Sequence, residues 1–472
     1  MNIFFSNKNK KTAGRDILTE AILESEEGYL GFFYPRNFKR RMMSLLKNQT
    51  VFLSGGTLVI ASLFGNVLNY VFNTYTERIL TFSDYSLIGL VGSFFSLVSI
   101  LFGAYTFTVN YNSSYLIGKY GEDAAYSFWK NITKHGVVPS VLIAIVWLVV
   151  TPVLMNFFHT DNISLFILFS LVLFFGFFNS ANQGFLSAKL LFGSLAIIAL
   201  IDPFIRLSVT AGLSSIGLSQ WAFATMILSF IVVSYVSWLL IKRKVKTTNE
   251  NITLSKIHKF PKKIFIVSII SGLSSVAYFT FDIFLAKHFL TPTEAGQYTL
   301  VSLVGKMVFF LGSLAGPFIT PIVSRYEGAG KSSLGPLYIL TGITAFFSFA
   351  ACLIFGIFGK FTLPILYGEK ALTIVPYVPL FTLGMACYTI SGLLVSYYLV
   401  KKVYIFTIIT ALLVFAQVGL ILLFHDSVKA IATVMSYVLI ANLFVTLTLH
   451  FILPFIKKSE KLLFFVNYLS FK

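Results

Sequence analysis

The stretch YTLVSLVGKMVFFLGSLAGPFIT, residues 298–320, carries a single charge, Lys306, in an otherwise apolar or weakly polar run. About 20 such residues, rising 1.5 Å each as an α-helix, cross the roughly 30 Å hydrocarbon core of a bilayer. Twelve stretches of this kind recur, near 51–72, 85–108, 137–157, 164–187, 191–213, 219–241, 263–286, 297–320, 337–358, 374–399, 402–424 and 429–455. The fifth is the weakest, because Asp202, Pro203 and Arg206 interrupt it. The chain is 57% hydrophobic and only 11% charged, less than half the roughly 25% charge of a soluble domain. Only lipid solvates so much apolar surface. The expected fold class is an all-α polytopic membrane protein of about 12 transmembrane helices.

The charges orient these spans. Of 36 Lys and Arg, 29 fall in alternate segments beginning with residues 1–50, five fall in the intervening loops, and Arg206 and Lys306 lie inside spans. The positive-inside rule then places both termini in the cytoplasm. The net charge of +18 is thereby a topology signal, and no nucleic-acid partner is expected. The first apolar run begins too far from Met1 for a cleaved signal peptide, so the first span is itself the anchor. Cys352 and Cys387 sit in apolar runs and read as small packing residues.

Working outward from residue 298 reveals a repeat. YTLVSLVGK from Tyr298 matches YSLIGLVGS from Tyr85 at a shift of 213, with Tyr, Leu, Leu, Val and Gly identical, and the same shift carries Gly103 to Gly316. Upstream, Asn73 and Arg78 correspond to Asp282 and Lys287 at a shift of 209. Six spans per repeat is an even number, so equivalent helices point the same way. The reading is two parallel-repeat bundles of six: a cytoplasmic charged tail at 1–50, an N-terminal bundle at 51–241, a basic cytoplasmic linker at 242–263, a C-terminal bundle at 264–456 and a cytoplasmic tail at 457–472. Transporters built from such pairs rock one half against the other around a site at their interface.

No P-loop, HExxH or CxxC is present, and the six histidines stand singly. No catalytic residue, metal site or cofactor is expected, and transport would draw on an ion gradient or on the substrate's own gradient. Each ionisable group inside a span costs roughly 2.5–3.5 kcal/mol on insertion scales, which makes it a functional candidate. Lys306 lies deepest. Its other account is a lysine paired for packing. Asp202 and Arg206 are four apart on one helix face, an arrangement that suits a structural ion pair as well as a site. Asp282, near the outer end of span seven beside Lys287, reads either as an interfacial pair or as an ion-coupling acid. Asn66, Asn69 and Asn73 in span one, and Asn179, Asn182 and Gln183 in span four, recur at helical spacing as interhelical glue or as the wall of a wet cavity. With Lys306 and Arg206 such a cavity would be cationic and suit an anionic substrate such as a pyrophosphate or acidic sugar.

These residues resemble those of the polysaccharide and oligosaccharide flippases of the multidrug/oligosaccharidyl-lipid/polysaccharide exporter superfamily. The resemblance covers roughly 50–455 and is carried by LNYVFNTYTERILTFSDYSLIGL from Leu68 and YFTFDIFLAKHFLTPTEAGQYTLVSLVGKMVFF from Tyr278. It implies alternating access by the two bundles, with lipid-linked sugar units flipped from the cytoplasmic to the outer leaflet of a cell membrane. By the same resemblance Lys306, Arg206, Asn69 and Asn73 would bind substrate, and Asp282 or Asp202 would couple to a proton or a sodium ion. A multidrug exporter of the same superfamily is the nearest rival, and would favour carboxylates in its cavity. A membrane-embedded sugar transferase or polymerase would need a larger outer loop than any here.

Overall fold

A computed structural model describes residues 49–80, 82–158, 160–244 and 260–458. The two tails, apart from their inner edges, and most of the basic linker lie outside the described residues. Those residues form α1 (Gln49–Ile79), α2 (Phe82–Tyr120), α3 (Glu122–Phe158), α4 (Ile163–Ala188), α5 (Phe192–Ser215), α6 (Ala222–Lys244) and α7 (Lys262–Phe289). There follow α8 (Pro292–Gly312), α9 (Gly316–Gly328), α10 (Leu334–Cys352), the short α11 (Gly359–Tyr367), α12 (Val378–Val400), α13 (Ile405–Leu423) and α14 (Val428–Lys458). No strand occurs among the described residues. Twelve spans are long and apolar enough to cross a membrane, one for each expected stretch. α8 and α9 together make the eighth, broken by a 3₁₀ turn at Ser313–Ala315.

The fifth span is a continuous helix in spite of its interruptions. Pro203 has no N–H for the carbonyl of Ala199 one turn earlier, and α1 packs against that carbonyl at Gly65. A Cβ built on Gly65 would lie 2.8 Å from the Ala199 oxygen. The region around 109–136 also differs from expectation. It is no loop, because α2 and α3, 39 and 37 residues long, continue into it and turn at Gly121, whose φ of +93° favours glycine.

The repeat extends to backbone detail. Between α4 and α5 the amides of Lys189, Leu190 and Leu191 donate to the carbonyls of Phe185, Ser187 and Leu186. Between α12 and α13 those of Lys401, Lys402 and Val403 donate to Tyr397, Leu399 and Tyr398, the same pattern displaced by 212. Leu190 (φ 58°) and Lys402 (φ 60°) occupy the left-handed region at equivalent points. Such a conformation costs a non-glycine residue about 1–3 kcal/mol, so its recurrence is evidence of duplication.

Each bundle has its own apolar core. One runs from Phe72 to Ile241 and the other from Ala277 to Leu439. A third cluster joins Tyr111 of α2 to α9, α10, α12 and α13 at the end of the bundle where Lys and Arg concentrate, hereafter the basic end. There α2 and α9 cross in backbone contact: a Cβ on Gly118 would lie 2.1 Å from the Arg325 oxygen, and one on Gly328 2.1 Å from the Tyr115 oxygen. Arg325 reaches across to cap α4, donating from Nη2 at 2.5 Å and Nε at 3.1 Å to the carbonyl of Ala188. Phe192 and Phe318 meet edge to face nearby, with ring centroids 4.6 Å apart. The two halves are therefore sealed together at the basic end.

Candidate functional site

Helical spacing in three elements builds one cavity. Asn66 and Asn69 of α1, Asn179 and Gln183 of α4, and Asp202 and Arg206 of α5 line a space of about 510 Å³ inside the N-terminal bundle, with Phe95 and Phe230 completing the wall. Gln183 donates to the Asn179 Oδ1 at 3.1 Å. Arg206 grips Asp202 with two nitrogens, Nη2 to Oδ2 at 2.8 Å and Nε to Oδ1 at 3.1 Å. Ser229 of α6 ties the pair down, donating to Asp202 Oδ1 at 2.7 Å and accepting from Arg206 Nε at 3.1 Å. The guanidinium also lies 5.9 Å from the centre of the Phe95 ring. A bidentate pair is the stronger form of this interaction, and it leaves the cavity wall with compensated charge.

The polar residues singled out in the sequence divide. Asn182 is excluded from the cavity: Trp129 donates to its Oδ1 at 3.0 Å and it donates to Ser237 Oγ at 2.9 Å, which is interhelical glue. Asn73 lies on the exposed face of α1, one turn beyond Asn69 and outside the cavity lining. Lys306 belongs to the other half. It is half-buried on α8, at the position equivalent to Ser93 of α2 in the repeat.

Asp282 is 1% exposed, and no pair with the exposed Lys287 forms. Tyr298 donates to its Oδ2 at 2.8 Å and Ser302 at 3.2 Å. Tyr298, Ser302 and Lys306 stand four apart on α8, which puts Lys306 on the helix face that meets Asp282. Asp282 Oδ1 has no hydrogen-bond partner among the described residues. Among the described residues no cluster of three His, Cys, Asp or Glu is placed to hold a metal.

Sequence reasoning passed over a second polar region. A space of about 60 Å³ in the C-terminal bundle is walled by Ser271, Ser275, Tyr388, Thr407, Thr410 and Asn442, among others. Its signal was present in the spacing of Asn442, Thr446 and His450 along α14. An apolar groove of about 500 Å³ between α7 and α13, with Phe281, Phe284 and Phe415 on its rim, opens on the outside of the same bundle.

Solved structures share this architecture. A mutant of the MATE transporter VcmN of Vibrio cholerae superposes with a TM-score of 0.75 over 90% of this chain and 100% of that one, at 13% identity. A MOP superfamily transporter of Pyrococcus furiosus gives 0.63 over 83% and 93%, at 16% identity. A eukaryotic MATE transporter gives 0.61 over 87% and 96%, at 14% identity. No curated protein matches the chain in sequence. Likeness at such identities shows the fold, a multi-pass helical bundle of the MATE type in two repeats. The family model described as polysaccharide biosynthesis protein matches residues 76–376, well over half the chain, from the last turn of α1 to just before α12 and including the Asp282–Lys306 region. By that match this chain is a member of the polysaccharide biosynthesis protein family.

Proposed function

We propose that this protein flips lipid-linked oligosaccharide or polysaccharide units across a cell membrane by alternating access of its halves, residues 51–241 and 264–456. Both termini and the basic linker then face the cytoplasm, and the closure at the basic end is the outward-facing state. The observation that carries the reading is the amide-rich cavity at membrane depth in a chain of the polysaccharide biosynthesis family. Amides such as Asn69, Asn179 and Gln183 both donate and accept, as sugar hydroxyls do. Asp202 and Ser229 occupy only part of the Arg206 fork, and its remaining N–H groups would receive phosphate. Lys306 would add a second cation from the facing half, and Asp282 or Asp202 would carry the coupling proton or sodium ion.

The test is appearance of a pyrophosphate-linked oligosaccharide lipid on the far leaflet of proteoliposomes. Wild-type protein should flip it, and Lys306→Ala and Arg206→Ala should lose flipping while folding normally. Transport of organic cations with no movement of sugar lipid would transfer the reading to a multidrug exporter and leave both basic residues as structural partners.

A further inference from the structure

Three polar stripes converge inside the C-terminal bundle. On α7 they are Ser271, Ser275, Tyr278 and Asp282; on α13, Thr407, Thr410 and Gln417; on α14, Asn442, Thr446 and His450. Such spacing puts each set on one face of its helix. Most of these groups are buried, in a bundle whose outer surface is lipid. The 60 Å³ chamber lies where the stripes meet and has room for about two waters at their liquid share of ~30 Å³.

Side chains aimed into that region are unsatisfied by protein. Among the described residues Asn442 Nδ2 and Thr407 Oγ1, both on the chamber wall, have no hydrogen-bond partner, although they are 0% and 1% exposed; two turns beyond Thr410 on α13 and outside that wall, neither end of the buried Gln417 amide has one. A buried amide or hydroxyl in that position is satisfied by ordered water.

From the chamber the track continues both ways. Towards the basic end, Thr446 stands one turn from Asn442 and one from His450, whose Nδ1 is 2.7 Å from the Tyr398 hydroxyl and Nε2 3.3 Å from that of Tyr338. In the other direction Tyr278 donates to the Thr410 carbonyl at 3.2 Å, and Asp282 follows one turn later on α7. The α7 stripe rises about 16 Å and the α14 stripe about 12 Å, and the two overlap at the chamber, whose wall holds Ser271, Ser275 and Asn442.

We propose that this hydrated track carries protons between the basic face and Asp282. A proton taken up by the His450 imidazole passes along the waters of the track, each accepting one proton and donating another, while the Thr446, Thr410 and Tyr278 hydroxyls, which donate to main-chain carbonyls, line the path as acceptors. The last ends on the Asp282 carboxylate, leaving a neutral acid that still accepts from Tyr298 and Ser302. The other ionisable groups facing the track are Tyr278 on α7, Tyr298 and Lys306 on α8, and Tyr338 on α10. Tyr388 and Tyr398 on α12 complete them; α13 brings only neutral groups, and α2 faces α7 with Ile100 and Tyr105. The proposal rests on Asp282 as the coupling acid, but its test does not require sugar lipid.

The full chain in lipid nanodiscs is exposed to radiolytic hydroxyl radicals, and Tyr278 and Tyr388, 2% and 4% exposed, are assayed for oxidation against the exposed Tyr235. Bound water should oxidise both rings in the wild type, and the isosteric Thr407→Val and the chamber-filling Asn442→Leu should suppress it. In parallel, the infrared carboxylic band absent from Asp282→Asn is followed after transfer to deuterium oxide. Its shift should be about tenfold slower in the variants, the rate equivalent of one lost hydrogen bond in the chain. Unlabelled rings in the wild type would overturn the hydrated track. An absent Asp282 band, or equal exchange rates in Thr407→Val and wild type, would overturn its proton role. A protein that passes both tests and flips no sugar lipid would retain the track and lose the proposed substrate.

Discussion

Replacing Gly118 by alanine should open the basic end. The new Cβ would lie 2.1 Å from the Arg325 carbonyl oxygen and 3.0 Å from the Ala329 nitrogen, both main-chain atoms of the opposite half. Ordinary contact begins at 3.4 Å, so α2 and α9 must part by roughly 1 Å, and no rotamer change removes the clash. Overpacking of this kind costs about 1–3 kcal/mol. Because the strain exists only while the halves are closed, that cost shifts the closed-to-open ratio by about 5–150-fold. Spin labels at Tyr120 and Ala329, both exposed at the crossing, would report it by double electron–electron resonance after Cys352 and Cys387 are replaced. A longer distance population should grow in Gly118→Ala and stay absent in Gly89→Ala, where nothing lies within 4 Å of the new methyl. A wild-type distance distribution in Gly118→Ala, with unchanged melting temperature, would refute the idea that this crossing sets the closed state.

Asp202→Ala strands a guanidinium in the cavity wall and should destabilise by about 1.5–3 kcal/mol; Asp202→Ala/Arg206→Ala should recover part of that in thermal unfolding, and strict additivity would deny the coupling. Thr291 and Glu294 cap α8 reciprocally, Thr291 Oγ1 accepting from the Glu294 amide at 3.4 Å and the Thr291 amide donating to Oε2 at 3.2 Å. Thr291→Ala should therefore cost about 1 kcal/mol, read as faster hydrogen exchange at Glu294 and Ala295. Leu190→Asn, which suits the left-handed conformation better, should stabilise by about 1 kcal/mol; an unchanged melting temperature would show that the turn is unstrained.

Two segments show how sequence and tertiary contact divide the labour. The expected spans 85–108 and 137–157 left 109–136, with Lys119, Lys130 and Lys134, as a connection between them. Positive charge reports which side of the membrane a segment occupies, and a helix can leave the bilayer and remain a helix. Pro203 and the Asp202–Arg206 pair read as a weakness in span five, whereas the broken backbone hydrogen bond sits where Gly65 lets α1 approach and the two charges neutralise each other locally.

Length, hydropathy and the 213-residue echo sufficed for twelve spans in two similar halves, because lipid obliges each apolar run to satisfy its own backbone as a helix. Helical spacing likewise sufficed to group Asn66 with Asn69, Asn179 with Gln183, and Asp202 with Arg206, since neighbours on one helix face are set by the 3.6-residue turn. Which faces meet was decided only in the folded bundle. Packing turned Asn182 into glue while Asn179 entered a cavity, buried Asp282 against Tyr298, and assembled the chamber from stripes about 170 residues apart. Interhelical contact in a membrane depends on shape and on hydrogen bonds between distant segments, and neither is written in the periodicity of any one helix.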